Sequence, residues 1–180
     1  MQSSSTMQKI MIIGCSGAGK STLSRKLHET LHIPVIHMDA HFWQANWQAT
    51  EDEEWDRQVE AFAQADCWII DGNYGRTMDI RIQHADTIIY LDMPRWLCLY
   101  RVIKRRIQYH GKSRPDMNAG CNEKIDWAFI KWIWNYRKRS RLQTLERLRK
   151  VEGDKQIITI RNSQQLHTFL KQLSTSSVIV

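Results

Sequence analysis

The sequence predicts an α/β fold, a five-stranded parallel sheet held between two layers of helices. Three observations carry that expectation. Five short apolar runs lack polar alternation, as strands buried on both faces do. Stretches with apolar residues at helical spacing separate them. A glycine-rich turn joins the first run to the first helical stretch.

Lys9–Ile13 is the first strand, and Gly14 to Gly19 is a turn. Leu23, Leu27 and Leu31 then fall at i, i+4 and i+8, a helix stripe. Pro34 ends that helix, Val35–Met38 reads as the second strand, and a loop with His41, Phe42, Trp43 and Trp47 follows. Thr50 with Glu53 has capping-box spacing ahead of a helix with Trp55, Val59 and Phe62 on one side. Cys67–Ile70 is the third strand and closes on Asp71-Gly72. A short helix near Met78–His84 leads to the fourth strand, Thr87–Leu91. Asp92 is placed to cap the next helix, with Pro94 in its first turn and Trp96, Leu99, Ile103 and Ile107 as its buried stripe. Residues 110–122 form a loop. A long helix is expected from about Glu123, with Ile125, Phe129, Trp132 and Tyr136 on its buried side. Gln156–Ile160 is the fifth strand, and Ser163 caps a last helix with Leu166, Phe169, Leu170 and Leu173. One domain over residues 1–180 is expected, with 1–7 and 174–180 flexible.

The turn carries the chemistry. Gly14-Cys-Ser-Gly-Ala-Gly19-Lys20-Ser21 matches G-x-x-x-x-G-K-[ST], between a strand and a helix. Glycines let successive N–H groups turn inward on an anion, and the helix N-terminus adds its positive end. The expected nucleotide site is Gly14, Cys15, Ser16, Gly17, Ala18, Gly19, Lys20, Ser21 and Thr22. Lys20 reaches the β- and γ-phosphates of ATP, and the Ser21 hydroxyl is a ligand for Mg²⁺. The three-layer fold is thus expected to be of the P-loop NTPase kind.

Trp68-Ile-Ile-Asp71-Gly72-Asn-Tyr-Gly-Arg76 resembles the strand of nucleoside monophosphate kinases that ends in Asp-Gly followed shortly by Arg. From Lys9 to about Leu173 the chain is similar to adenylate-kinase-related P-loop kinases, and closest to the DNA topology modulation proteins, FlaR-related. The resemblance implies phosphoryl transfer from ATP·Mg²⁺ to a small acceptor, a nucleotide or nucleoside among the candidates. It places Asp71 by the Mg²⁺ shell with Ser21, and Arg76 on the acceptor phosphate. Asn73-Tyr74 replaces the usual Phe-Pro, a departure on the acceptor side. Similar kinases use a pair such as Arg101 and Arg105, at i and i+4, on the adenine and the transferring phosphate. They also use a short lid, here 110–122, whose Arg114, with Arg137 on the next helix, closes onto phosphate. A carboxylate at the position of Asp39 binds or deprotonates the acceptor hydroxyl in related kinases; a capping Asp is the plain alternative. His37-x-Asp39-x-His41 also allows three metal ligands on one side of an extended segment. Arg161 and Asn162, after the fifth strand, border the adenine ring in this picture.

Composition bounds the partners. Net charge is +7, but Arg95–Lys150 holds 16 Lys+Arg against 4 Asp+Glu. That half expects an anionic partner, a nucleotide's phosphates or a nucleic-acid backbone. Trp127, Trp132, Trp134 and Tyr136 lie among the basic residues, so an ATP-dependent nucleic-acid-associated protein is one rival, with weak binding expected. A regulatory nucleotide-binding module with little turnover is the other. No apolar run approaches the ~20 residues of a membrane span, so no membrane is expected. Cys15, Cys67, Cys98 and Cys121 form no C-x-x-C pair; Cys67 and Cys98 read as core thiols. That usage and the polar N-terminus point to the cytoplasm.

Overall fold

The structure, a computed structural model, describes residues 7–112, 114–122 and 125–176. Five parallel strands form its sheet: β1 (Lys9–Gly14), β2 (Val35–His37), β5 (Trp68–Asp71), β6 (Thr87–Leu91) and β7 (Gln156–Ile160), in the order β2-β5-β1-β6-β7. Ile10 and Ile12 of β1 point into one core, and Met11 and Ile13 into the other. Both sets are fully buried, which is why the strand reads as a continuous apolar run.

On the Ile10/Ile12 side pack α1 (Lys20–Leu31), α5 (Arg95–Gln108), α6 (Trp127–Asn135) and α8 (Ser163–Ser176). On the other side lie α3 (Asp52–Gln64), α4 (Met78–His84) and α7 (Ser140–Lys150). The expected three-layer α/β/α architecture is therefore present. After β1 the chain moves to one side of the sheet, and after β5 it returns to fill the other. The carboxyl end of β1 is thus a topological switch point, where open α/β sheets bind ligands.

Several local expectations give way to longer-range partners. Thr50 does not cap α3; Glu51 holds that position without a side-chain bond. The Thr50 hydroxyl lies within reach of the carbonyls of His41 and Phe42. Residues 38–49 are not a plain loop: a short helix, α2 (Met38–Phe42), leads into a hairpin of β3 (Trp43–Gln44) and β4 (Gln48–Ala49). Asp92 does not cap α5, since it takes a two-pronged contact from Arg141 of α7 at 2.8 Å on each oxygen. Asn162, not Ser163, caps α8, its Oδ1 accepting from the Gln165 N–H.

The expected long helix is two. Its expected start at Glu123 lies outside the described residues; α6 begins at Trp127, capped by Asp126. A 3₁₀ turn, Tyr136–Lys138, and the non-helical Arg139 (φ −123°, ψ −82°) separate α6 from α7. Trp132 is 41% exposed, so only part of the expected stripe is core. On α5 most of the expected stripe is wrong: Cys98 and Val102 are buried and Leu99 packs partly on the core, whereas Trp96, Ile103 and Ile107 face outward. Cys67 is exposed, just ahead of β5. The expected frayed end reaches residues that lie partly outside the description; α8 runs to Ser176.

The choice of α5's inner face follows from the phosphate loop. Gly17 has φ +78°, and a Cβ built there would stand 2.3 Å from the Cys98 carbonyl oxygen. Only glycine allows that approach together with that backbone conformation. Gly17→Ala is expected to lower unfolding stability by about 1–3 kcal/mol, the usual cost of backbone strain, or to displace the loop. Urea unfolding measures this, and an unchanged midpoint with full nucleotide affinity would contradict it.

Candidate active site

The residues of the phosphate loop bend as the motif requires. Gly14, Gly17 and Gly19 have φ of +149°, +78° and +104°, and Gly19 forms the N-terminal boundary of α1. The Lys20 ammonium donates to the carbonyls of Gly14 and Cys15 at 3.1 and 3.2 Å, curled over its own loop. Arg101 reaches from α5 and donates to the Ala18 carbonyl at 3.0 Å. That bond makes Arg101 a clamp on the loop's backbone. Cys15 and Cys98 are buried against one another; their mutual hydrogen bond and burial push the Cys15 thiol far up.

At the end of β5, Asp71 is 4% exposed. Its Oδ2 is reached by the Ser24 hydroxyl of α1 and by His37 Nδ1 of β2 at 2.8 Å. Burial alone would lower the His37 pKa; the hydrogen bond and charge of Asp71, with Asp116, outweigh it and raise it. Asp116 comes from the segment between α5 and α6. Burial would raise its carboxyl, but Arg114 at 3.0 Å and a hydrogen bond from the Ser21 hydroxyl hold it below the ordinary range. Ser21, Asp71 and Asp116 thus gather at the start of α1.

Asp39, in α2, accepts from the Tyr74 hydroxyl at 2.7 Å and lies 3.9 Å from Arg114. Burial, then the Asp39 charge, push the Tyr74 phenol well up, so it stays a donor. Behind it, Arg81 is fully buried and donates to the carbonyls of Thr77, Gly72 and Tyr74. It fixes the turn after β5. Burial draws its pKa down to about 9, still above neutral pH.

Some of these groups open on a cavity of about 740 Å³. Ser16 and Lys20 line it, as do Asp39, Tyr74, Arg105 and Arg114. Trp43, Trp47, Phe129 and Trp132 add flat walls. Of the expected residues, the fold brings Lys20, Asp39, Arg105 and Arg114 together. Arg76 is elsewhere, held by Asp52 and Asp56 of α3 at 2.9 and 2.8 Å. Arg137 is exposed in the 3₁₀ turn, and Arg161 and Asn162 are exposed beyond β7. The 37/39/41 metal alternative fails. His37 pairs with Asp71, Asp39 with Tyr74, and the His41 ring packs on Phe62 at 4.8 Å. Among the described residues, no group of three His, Cys, Asp or Glu side chains is placed to hold a metal alone. Mg²⁺ asks for less: hard oxygen donors beside bound phosphates, with waters for the rest. The Ser21 hydroxyl and the Asp116 and Asp71 carboxylates fit that chemistry.

The segment after α5 lies against the β3–β4 hairpin. Asn46 N–H donates to the Gly120 carbonyl, Trp47 Nε1 to that of Asn122, and Cys121 Sγ to that of Gln44. Asn46 and Trp47 both sit at positive φ, +61° and +63°, so the hairpin tip is strained where it meets this segment.

No protein-family model matches the chain, and no curated protein matches its sequence. In structure it is similar to the shikimate kinase of Bacteroides thetaiotaomicron, with a TM-score of 0.56, 17% identity, and 97% of this chain and 100% of that one covered. It is also similar to the shikimate kinase of Acinetobacter baumannii in complex with shikimate, at 0.53 and 18%, covering 97% of each chain. The gluconokinase of Sinorhizobium meliloti 1021 matches at 0.53 and 14%, over 95% of this chain and 91% of that one. The fold is that of the P-loop kinases. At these identities the likeness extends to the fold and leaves the acceptor open.

Within this P-loop kinase fold, sequence reasoning missed Asp116, Ser24 and Arg81, and read His37 only as an alternative metal ligand rather than as the partner of Asp71. Arg81 left a signal, a lone arginine beside Met78 and Ile82 on a short apolar helix. Asp116 left none, because its partner Ser21 is far away in the chain.

The His37–Asp71 pair has a pH signature. The folded pKa of His37 lies above 6.5, so its contribution to stability is full below about 6.5 and fades as pH rises through the folded value. Urea unfolding across pH 5 to 9 is expected to show that loss in the native protein and not in His37→Gln, a window of roughly the usual His range. The same pH slope in both proteins would contradict the pairing.

Proposed function

We propose that the chain is a kinase that moves the γ-phosphoryl group of ATP to a hydroxyl or phosphate of a small acceptor. One observation carries the reading: a single cavity is lined by Lys20 of the phosphate loop and by Asp39 with its Tyr74 partner. Lys20 holds the β- and γ-phosphates once its loop carbonyls release it. Ser21, with Asp71 and Asp116 nearby, holds Mg²⁺, which neutralises phosphate charge when bound. Asp71 steadies Ser24 and His37 around that position. Arg105 and Arg114 put positive charge where the phosphoryl group passes.

With a hydroxyl acceptor, its oxygen bonds to the γ-phosphorus while the bond to the bridging oxygen breaks. That bond's electrons leave with ADP, and the hydroxyl proton passes to the Asp39 carboxylate. Positioning and charge neutralisation supply most of the rate, since the transferring group is loose and anionic. The aromatic walls and Asn73 Oδ1, buried without a partner, support an acceptor with a flat ring and a donor group, as a nucleoside or nucleotide has. Arg114 and Arg147, both lining the cavity, take the anion-binding part that the resemblance gave Arg76. Arg161 and Asn162 border the adenine ring in the same reading, and the narrower kinship with DNA topology modulation proteins rests on the resemblance from Lys9 to about Leu173. In it the chain works as one domain, and residues 110–122 act as the lid that excludes water. Four free thiols support a reducing, cytoplasmic setting.

Asp39→Asn is expected to keep ATP-analogue affinity and to lower acceptor-dependent ADP release by roughly 10²–10⁴, the worth of a general base. An ADP-release screen over nucleosides, nucleoside monophosphates and small hydroxyl metabolites finds the acceptor and then compares the variant on it. Equal turnover in the variant would remove Asp39 from the reaction. Tight ATP binding with no acceptor found to stimulate turnover would favour a regulatory module.

A further inference from the structure

A second feature lies outside the cavity. On α5, Trp96, Tyr100, Ile103 and Ile107 stand at i, i+4, i+7 and i+11, which is one helix face. They are 63, 61, 49 and 74% exposed. On α6, Trp127 and Trp134 add a second exposed stripe. The stripes meet: the Trp96 and Trp134 rings pack edge to face at 4.7 Å, and the Arg95 guanidinium covers Trp134 at 4.3 Å. Single exposed apolar residues are ordinary, but a joined patch of this make-up marks a surface that meets something.

Its chemistry narrows the partner. Neither α5 nor α6 contains an acidic residue. Lys104 borders the α5 stripe, and Lys131 stands between Trp127 and Trp134 on α6. A second copy of the same face would set like charges against each other. A nucleic acid would want open aromatic faces, yet Arg95 lies over Trp134, and Ile103 and Ile107 offer no ring to stack on. An anionic bilayer surface satisfies all the groups at once. Trp and Tyr suit the headgroup boundary, isoleucines enter the acyl region, and Lys and Arg meet the lipid phosphates.

We infer that the α5–α6 face docks this chain onto an anionic lipid surface. Docking is peripheral, for no helix among the described residues is long and apolar enough to cross a membrane. The inference stands apart from the kinase reading, since none of these groups lines the cavity, and the α5 residues that hold the phosphate loop are others, Cys98, Arg101 and Val102.

The test is co-sedimentation of the full chain with vesicles of phosphatidylcholine alone and of phosphatidylcholine with phosphatidylglycerol. Binding to the anionic vesicles is expected to exceed binding to neutral ones by about tenfold or more, and to fall in roughly 0.5 M salt. Ile103→Glu with Ile107→Glu removes the apolar insertion and adds like charge to the lipid's. Both positions are exposed, so the fold should hold, which the thermal midpoint and ATP-analogue affinity check. Anionic-vesicle binding should drop about tenfold or more in the double variant. Failure of the native chain to bind anionic vesicles would overturn the inference, as would undiminished binding by a folded double variant. Submicromolar oligonucleotide binding lost in the double variant, with vesicles ignored, would give the face to nucleic acid. Self-association lost in the same variant, again with vesicles ignored, would make it an interface between copies.

Discussion

The phosphate loop can keep its shape only because α5 is packed against its back. A free glycine-rich loop would sample many conformations and spend binding energy on becoming ordered. Here Gly17 sits where a Cβ would strike the Cys98 carbonyl, a Cβ on Gly14 would stand 2.6 Å from the Leu91 carbonyl oxygen, and Arg101 ties down Ala18. The backbone of the loop is thereby held in one conformation before any ligand arrives. The same constraint sets the orientation of α5, whose small inner residues, Cys98 and Val102, are what the loop tolerates. Trp96, Tyr100, Ile103 and Ile107 are turned outward as a consequence.

A second layer of order grows from the switch point of the sheet. Asp71 ends β5 beside β1 and β2, so it can hold Ser24 of α1 and His37 of β2 together. Arg81 locks the following turn from below through three carbonyls, which aims Tyr74 at Asp39. The segment carrying Arg114 and Asp116 is pinned to the strained hairpin tip at Asn46 and Trp47, and so reaches both Asp39 and Ser21. The phosphate-loop side and the Asp39 side are thus built on separate supports that face one cavity.

What was legible in the sequence was local. The β1–loop–α1 unit is written in consecutive residues, and the buried strands in runs too apolar to face water. Partnerships across the chain were not. Asp92 has the position of a cap, but a buried carboxylate gains more from Arg141, 49 residues away, through two charge-assisted bonds. On α5 two stripes share helical spacing, and periodicity cannot say which one the core takes; the close approach at Gly17 decides it. His37 and Asp71 meet only because β2 and β5 are neighbours, and Asp116 only because its segment folds over α1. Arg76 follows the Asp-Gly turn as the resemblance requires, yet the acidic first turns of α3 capture it.

The most direct test of this account is calorimetric titration of ATP·Mg²⁺ into the native chain and Lys20→Ala, with urea unfolding of each. Among the described residues, Lys20 bonds only to carbonyls of its own loop, so its loss should leave the unfolding midpoint unchanged. Affinity for ATP should fall by about tenfold or more, the worth of one charge-assisted bond to phosphate. Equal ATP affinity in the two proteins would contradict the account at its centre, because the loop would then not be where the phosphates bind.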